Sequence, residues 1–137
     1  MQEVPQDLLE AALSIIKNAY APYSGYRVAA AVRASSGRVY RGVNVENSSY
    51  GLTVCAERVA IFNAVTEGER SIKEVLVLVE RGPPAPPCGA CLQVISEFGG
   101  DDNTVVYSVS LEGGVMKWRL KDLLPFRFGA SYLRAQK

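Results

Sequence analysis

The residues best suited to chemistry in this sequence form two short motifs. Cys55 is followed two residues later by Glu57, and Cys88 and Cys91 flank two residues after Pro87. The motifs account for all three cysteines of the chain. Each motif lies where a predicted loop runs into a predicted helix, so two thiolates on one helical turn and a third from another helix start could bind one zinc ion.

Three protein ligands would leave one tetrahedral position of the zinc open to water, which is typical of a catalytic site. The chain has no histidine, so histidine ligands and Ser-His or Cys-His nucleophile pairs are excluded. Zinc can lower the pKa of bound water to about 7 and so supply hydroxide at neutral pH. Glu57 would accept and pass on the proton. The motifs therefore indicate metal-assisted hydrolysis.

Other interpretations of these residues stay open at this point. Cys88 and Cys91 alone are also typical of a thioredoxin-type dithiol, or of small apolar residues packed in a core. A helical carboxylate such as Glu57 is most often simply solvated. A closed structural zinc site is the weaker metal interpretation, because the sequence offers neither a histidine nor a fourth cysteine.

Composition limits the class of protein. The length of 137 residues predicts one domain, residues 1–137, and 48% hydrophobic with 21% charged residues is typical of a globular protein. No apolar run approaches the ~20 residues of a membrane helix, and no export signal is visible, so we expect a cytoplasmic protein without a membrane partner. The 15 basic and 14 acidic residues are not clustered, which disfavours nucleic acid.

Hydrophobic periodicity predicts the elements that must position the two motifs. Helices are predicted at residues 5–20, 55–66 and 89–98, and strands at residues 26–33, 38–43, 74–80 and 104–110. The segment RGPPAPP before Cys88 is expected to be a stiff loop. Because strands alternate with helices, we predict a layered α/β domain with helices on both faces of a sheet that is largely parallel outside its first hairpin.

The motifs match the signature of zinc deaminases, a ligand followed two residues later by glutamate and then by Pro-Cys-x-x-Cys. Four segments closely resemble the small homotetrameric cytidine deaminases: YAPYS (20–24), GVNVENSSY (42–50), CAERVAIFNAVTE (55–67) and PCGACLQVISE (87–97). The resemblance extends to about Phe128. It implies a three-layer α-β-α cytidine deaminase-like fold with a five-stranded mixed sheet, and one zinc ion per chain on Cys55, Cys88 and Cys91.

The implied function is zinc-dependent hydrolytic deamination of cytidine and deoxycytidine to uridine and deoxyuridine, with release of ammonia, in pyrimidine salvage. Zinc-bound hydroxide would be the nucleophile and Glu57 the proton shuttle. The alternative within enzymes is a deaminase for a related aminated heterocycle, such as a nucleoside antibiotic. The alternative from another class is a non-catalytic zinc-binding module, which would release no ammonia from cytidine.

The resemblance also implies roles for substrate-binding residues. Asn44 and Glu46 would bind the ribose hydroxyls, Tyr26 would line the sugar and base pocket, and the backbone of Ala56 would contact the base. In a homotetramer with shared active sites, Tyr50 and Phe128 would enter a neighbouring subunit's site, where Phe128 would stack on the base. Without the resemblance, ordinary packing would be the preferred interpretation of both aromatic residues.

Two further positions concern the charge of the three-thiolate site. Arg58 directly follows Glu57 and could donate a hydrogen bond to a thiolate. Leu92 stands where comparable three-cysteine members often carry a second arginine. We therefore hypothesise that the zinc charge is less neutralised in this chain than in members with two arginines.

Overall fold

A five-stranded sheet organises the described part of the chain, which in this computed structural model is residues 3–99 and 103–134. The strands are β1 (Val28–Ala34), β2 (Val39–Val43), β3 (Ile72–Val79), β4 (Val105–Ser110) and β5 (Val115–Arg119), in the spatial order β2-β1-β3-β4-β5. The helices are α1 (Gln6–Leu13), α2 (Ala56–Thr66), α3 (Gly89–Gly99), α4 (Leu120–Leu123) and α5 (Ala130–Arg134).

The prediction of a largely parallel sheet is wrong. Among the five strands of the described residues, only β3 and β4 pair in parallel, whereas β1 pairs antiparallel with both β2 and β3, and β4 pairs antiparallel with β5. The helical connections through α2 and α3 do join strands of the same direction, as expected. The first hairpin, however, places β1 between β2 and β3 instead of at an edge, and β5 returns beside β4 through a turn at Gly113 and Gly114.

The sheet separates two hydrophobic cores, so the expected three layers are present. Alternate residues of β3 face opposite sides. Val75 and Val77 pack with α2 and α3, while Leu76 and Leu78 pack with α1. Helices therefore cover both faces of the sheet. Within the described residues, none of the helices combines the length and apolar character needed to cross a membrane.

The first helix is shorter than predicted, ending at Leu13 rather than Tyr20. A short 3₁₀ turn at Ile16–Asn18 follows, and the chain then extends. The reason is a tertiary pairing: the Tyr20 N–H donates to the Asn44 carbonyl at 3.0 Å, and the Tyr20 carbonyl accepts from the Glu46 N–H at 2.9 Å. A helix continued to Tyr20 would have used the Tyr20 N–H internally, so it could not have paired with Asn44.

Close packing fixes α2 against strand β2 of the sheet. A Cβ added to Gly42 on β2 would lie 2.5 Å from the Ala60 backbone nitrogen, so only glycine allows this approach. Because α2 begins directly after Cys55, its position on β2 determines where the first cysteine motif lies.

Candidate active site

The three cysteines converge on one point. Their Sγ atoms all lie within 4.8 Å of one another, and the Cys55 and Cys88 sulfurs are 3.9 Å apart. Cys55 is the N-cap residue of α2, whereas Cys88 immediately precedes α3 and Cys91 lies in its first turn. Two loop-to-helix junctions thus bring together cysteines that are 33 residues apart in sequence.

The donor set and its spacing fit a zinc ion. Zn–S bonds of about 2.3 Å in a tetrahedral arrangement place neighbouring sulfurs about 3.8 Å apart, close to the observed separation of Cys55 and Cys88. No histidine, aspartate or glutamate of the described residues joins the three thiols in this cluster. One tetrahedral position of a bound ion would therefore be free of protein ligands.

Arg58 supplies positive charge beside the thiols. Its Nη2 donates to the Cys55 sulfur at 3.6 Å, and its buried Nε has no hydrogen-bond partner among the described residues. The pKa of Cys55 is lowered to about 5, first because the Cys91 thiol donates a hydrogen bond to it and then because of Arg58. The pKa of Cys91 is raised, since it is the donor in that hydrogen bond and is buried. The site therefore already favours a thiolate.

Glu57 is buried, contrary to the interpretation of a solvated helical carboxylate. Its exposed fraction is 5%, although it lies in the first turn of α2. Burial raises the pKa of Glu57 to about 7, and the neighbouring Cys55 charge adds to this effect. Glu57 can therefore both accept and donate a proton near neutral pH.

A cavity of about 190 Å³ opens beside Glu57 and Cys55. It brings together six residues that were predicted to bind substrate, zinc or protons: Tyr26, Asn44, Glu46, Cys55, Ala56 and Glu57. Val28, Val77 and Val79 of the sheet also line this cavity. An apolar pocket with a few convergent polar groups is the usual form of a small-molecule site.

Asn44 and Glu46 are held by the backbone around Tyr26. The Asn44 amide accepts from the Val28 N–H at 3.0 Å and donates to the Tyr26 carbonyl at 2.8 Å. Glu46 Oε1 accepts from the Tyr23 and Ser24 N–H groups at 2.9 and 3.1 Å, and Oε2 accepts from the Ser24 hydroxyl. These bonds lower the pKa of Glu46, the Ser24 hydroxyl contributing most. Each side chain keeps hydrogen-bonding capacity beyond these contacts.

Two predicted substrate contacts lie outside this cavity. Tyr50 is 76% exposed and lines a neighbouring hollow with Tyr23, and Phe128 is 59% exposed and stacks on Tyr132. Within one chain, neither side chain lines the cavity beside Glu57. Leu92 is 8% exposed and belongs to the core beneath α2 and α3.

The family of the chain follows from comparison with known proteins. A family model described as the cytidine and deoxycytidylate deaminase zinc-binding region matches residues 2–109. The cytidine deaminase of Halalkalibacterium halodurans is 44% identical over 125 residues, covering 91% of this chain and 94% of that protein. The chain belongs to the cytidine deaminase family. The cofactor expected from the three cysteines is confirmed, because the matched region is a zinc-binding region.

Solved structures place the fold in the same family. The crystal structure of cytidine deaminase from Burkholderia pseudomallei superposes with a TM-score of 0.85 at 42% identity, covering 91% of this chain and 99% of that one. A cytidine deaminase from Sporosarcina psychrophila is 45% identical over 112 residues, or 82% of each chain. The mixed five-stranded sheet implied by the resemblance is confirmed, and so is the assignment to an enzyme family.

Sequence reasoning missed several residues of the cavity. Ser24, Thr53, Ala85 and Pro86 line it, but none belongs to a motif of chemically reactive residues. Ser24 had a detectable signal, since it lies in the YAPYS segment next to Tyr26. Ala85 and Pro86 belong to the proline-rich loop, which was predicted only to be a stiff loop before Cys88.

Proposed function

We propose that this protein hydrolyses cytidine and deoxycytidine to uridine and deoxyuridine with release of ammonia. The observation that carries the proposal is a buried carboxyl group, Glu57, beside three convergent thiols at the edge of a small apolar cavity. A zinc ion on Cys55, Cys88 and Cys91 would act as a Lewis acid that activates a water molecule. The relatives named above are cytidine deaminases, which supports this substrate.

In the proposed mechanism Glu57 moves the protons. Its carboxylate takes a proton from the attacking water and delivers it to the ring nitrogen N3 of cytosine. After the new C4–O bond has formed, the same side chain takes the proton of the C4 hydroxyl and passes it to the leaving amine. Ammonia then departs as the C4–N bond breaks, and the oxygen stays on C4 as the carbonyl of the product. A pKa near neutrality suits both roles, because neither protonation state is strongly disfavoured.

The remaining residues bind and orient the nucleoside. Asn44 and Glu46 bind the sugar hydroxyls, the ring of Tyr26 borders the sugar, and the Ala56 backbone at the start of α2 faces the base. Arg58 holds the Cys55 sulfur and offsets the negative charge of three thiolates. The Glu46 carboxylate would repel the phosphate of a nucleotide, which favours a free nucleoside as the substrate.

A substrate panel tests the proposed function directly. Zinc-loaded protein is expected to release one ammonia per cytidine or deoxycytidine, and to act poorly on cytidine 5′-monophosphate. Ammonia release and the change in ultraviolet absorbance of the base measure the reaction. Zinc binding without turnover on any aminated base would instead identify a non-catalytic zinc module.

The Glu46→Gln variant is expected to raise the KM for cytidine about tenfold while kcat changes little, because a hydrogen bond from a sugar hydroxyl to a charged group is lost. Glutamine still offers a carbonyl oxygen to the Tyr23 and Ser24 N–H groups, so the local fold is retained. Steady-state kinetics measures the effect.

Two controls make the Glu46 test specific. Glu67→Gln changes an exposed glutamate at the C-terminal end of α2 and should leave KM unchanged. With 2′,3′-dideoxycytidine, which lacks the 2′ and 3′ hydroxyls, Glu46→Gln should match the unchanged protein. An equal loss on both nucleosides would remove Glu46 from recognition of the sugar.

We also propose a homotetramer with shared active sites, in which Tyr50 and Phe128 complete the pocket of a neighbouring subunit. Their exposure and their position outside the cavity of their own chain support this assignment. Sedimentation equilibrium tests it, and a strict monomer would contradict it.

We further propose that residues 1–137 form one domain and that the protein acts in pyrimidine salvage. We also propose a cytoplasmic location, because the thiols that bind zinc remain reduced there.

A further inference from the structure

The proline-rich loop, residues 81–87, cannot set its own conformation by hydrogen bonding. From position 82 to position 87 only Gly82 and Ala85 carry a backbone N–H, because the other four residues are prolines. Both N–H groups donate to side chains outside the loop. Gly82 donates to Glu112 Oε1 at 2.9 Å, and Ala85 donates to Ser108 Oγ at 2.9 Å. Strand β4 and the turn after it therefore hold the loop.

Ser108 is the buried member of this pair of anchors. It has no exposed surface and pairs with Val77 in the parallel β3–β4 ladder, on the face of the sheet that carries the cavity. On that face its neighbours include the buried apolar residues Val106 of β4 and Val77 of β3. A hydroxyl in such surroundings costs free energy unless it is hydrogen-bonded, and the partner it has is the Ala85 N–H.

The held segment forms part of the cavity. Ala85 and Pro86 line it, and Cys88 follows two residues later. At the other end of the loop, Arg81 donates to the Ser24 carbonyl at 3.3 Å and lies 5.8 Å from the centre of the Tyr26 ring. The loop therefore contacts β4 through Ala85 and the Ser24–Tyr26 side of the pocket through Arg81.

We propose that Ser108 is a positioning residue for nucleoside binding, acting through Ala85 to fix the pocket wall formed by Ala85 and Pro86. This inference rests on the proposed function. It gives the Ser108 hydroxyl a specific role, which is to hold the single interior N–H of the loop, whereas Glu112 and Ser24 hold the end of the loop at Gly82 and Arg81. The wall then keeps the bound base in one position relative to Glu57.

The test compares Ser108→Ala with a control at Thr104, the residue immediately before the same strand. Ser108→Ala is expected to raise the KM for cytidine and the Kd for uridine about fivefold each, with kcat within about twofold and zinc content unchanged. Thr104→Val removes another buried hydroxyl, which lies 3.0 Å from the Ile72 and Gly99 carbonyl oxygens. It should lower the melting temperature comparably and leave KM and Kd unchanged.

Two further variants keep the test decisive. Ser108→Thr retains the hydroxyl oxygen and should preserve the uridine Kd. Glu112→Ala removes the exposed anchor of the Gly82 N–H and should raise KM even if Ser108→Ala fails to fold. If the unchanged protein is active, a normal KM and Kd in the Ser108→Ala variant would overturn this inference alone. If Ser108→Ala does not fold, a normal KM in the Glu112→Ala variant would overturn it. Absence of any turnover by the unchanged protein would overturn the proposed function as well.

Discussion

The Glu57→Gln variant is expected to lose deamination by a factor on the order of 1,000 while still binding zinc. Glutamine fills nearly the same volume in the buried first turn of α2, so the cavity should keep its shape. The amide cannot accept a proton from water or deliver one to N3 of cytosine. Binding of uridine, which requires no proton transfer, should change far less than kcat.

Stability should not fall in this variant. The raised pKa of Glu57 shows that burial disfavours its charged form, and glutamine carries no charge to bury. Above the folded-state pKa of about 7, the unchanged protein without zinc holds a buried carboxylate, so the neutral variant is expected to be at least as resistant to heat. Thermal unfolding of the zinc-free proteins at pH 8 checks this expectation.

Kinetics, zinc content and uridine affinity measured on the same preparations separate catalysis from binding. Glu67→Gln is the matched control, because it makes the same chemical change at an exposed position near the end of the same helix. Substantial turnover by Glu57→Gln would show that another group moves the protons. Loss of zinc from this variant would mean that Glu57 supports the metal site rather than the chemistry.

The chemical core of the site was predictable because its information is local. Cys55 and Glu57 lie two residues apart, the parts of Pro-Cys-x-x-Cys are similarly close, and spacing within one helical turn determines which side chains can meet at an ion. Convergence of the two motifs was inferred from chemistry, since three unpaired cysteines without histidine satisfy few other roles. The separation of 3.9 Å between the Cys55 and Cys88 sulfurs supports that inference.

Strand directions and the end of α1 were not predictable in this way. Periodicity identifies β1 and β3 as buried strands, but their antiparallel pairing depends on where the hairpin inserts in the sheet. The helix ends at Leu13 because Tyr20 pairs with a segment more than twenty residues later. Both outcomes depend on long-range hydrogen bonds, which local hydrophobic patterns do not encode.

The pocket wall was missed for a related reason. Ser108 lies in a run of mostly apolar strand residues, and this pattern gives no indication that its hydroxyl has a specific role. Its importance follows only from the lack of N–H groups in the proline-rich loop and from the packing of that loop against β4. Ser24 was missed for the same reason, because its role depends on the hydrogen bond that its hydroxyl donates to Glu46.

The second large effect is expected from removing a thiol. Cys91→Ser should weaken zinc binding by roughly a factor of 100 or more and reduce turnover in proportion to the lost metal, because a thiolate ligand is replaced by a hydroxyl that ionises poorly. Cys91 is buried beside the other two sulfurs, and no aspartate or glutamate of the described residues belongs to the three-thiol cluster. Metal analysis after dialysis and assay with added zinc measure both effects.

Thiol counting gives a readout that is independent of activity. The chain has three cysteines, all in this cluster, so a thiol reagent should modify three per chain after chelation and far fewer in the zinc-loaded protein. Glu97→Gln on the exposed side of α3 serves as the control and should protect its thiols normally. Equal reactivity with and without zinc would contradict a shared metal site.

Cys55→Ser distinguishes the zinc site from a dithiol formed by Cys88 and Cys91 alone. A redox pair formed by Cys88 and Cys91 would not need Cys55, so the Cys55→Ser variant would retain its reversible oxidation. A zinc site shared by two helices requires all three sulfurs, so Cys55→Ser and Cys91→Ser should lose metal and turnover to a similar extent. Equal losses of metal and turnover in the two variants would show that the ion is bound jointly by cysteines at the start of α2 and at the start of α3.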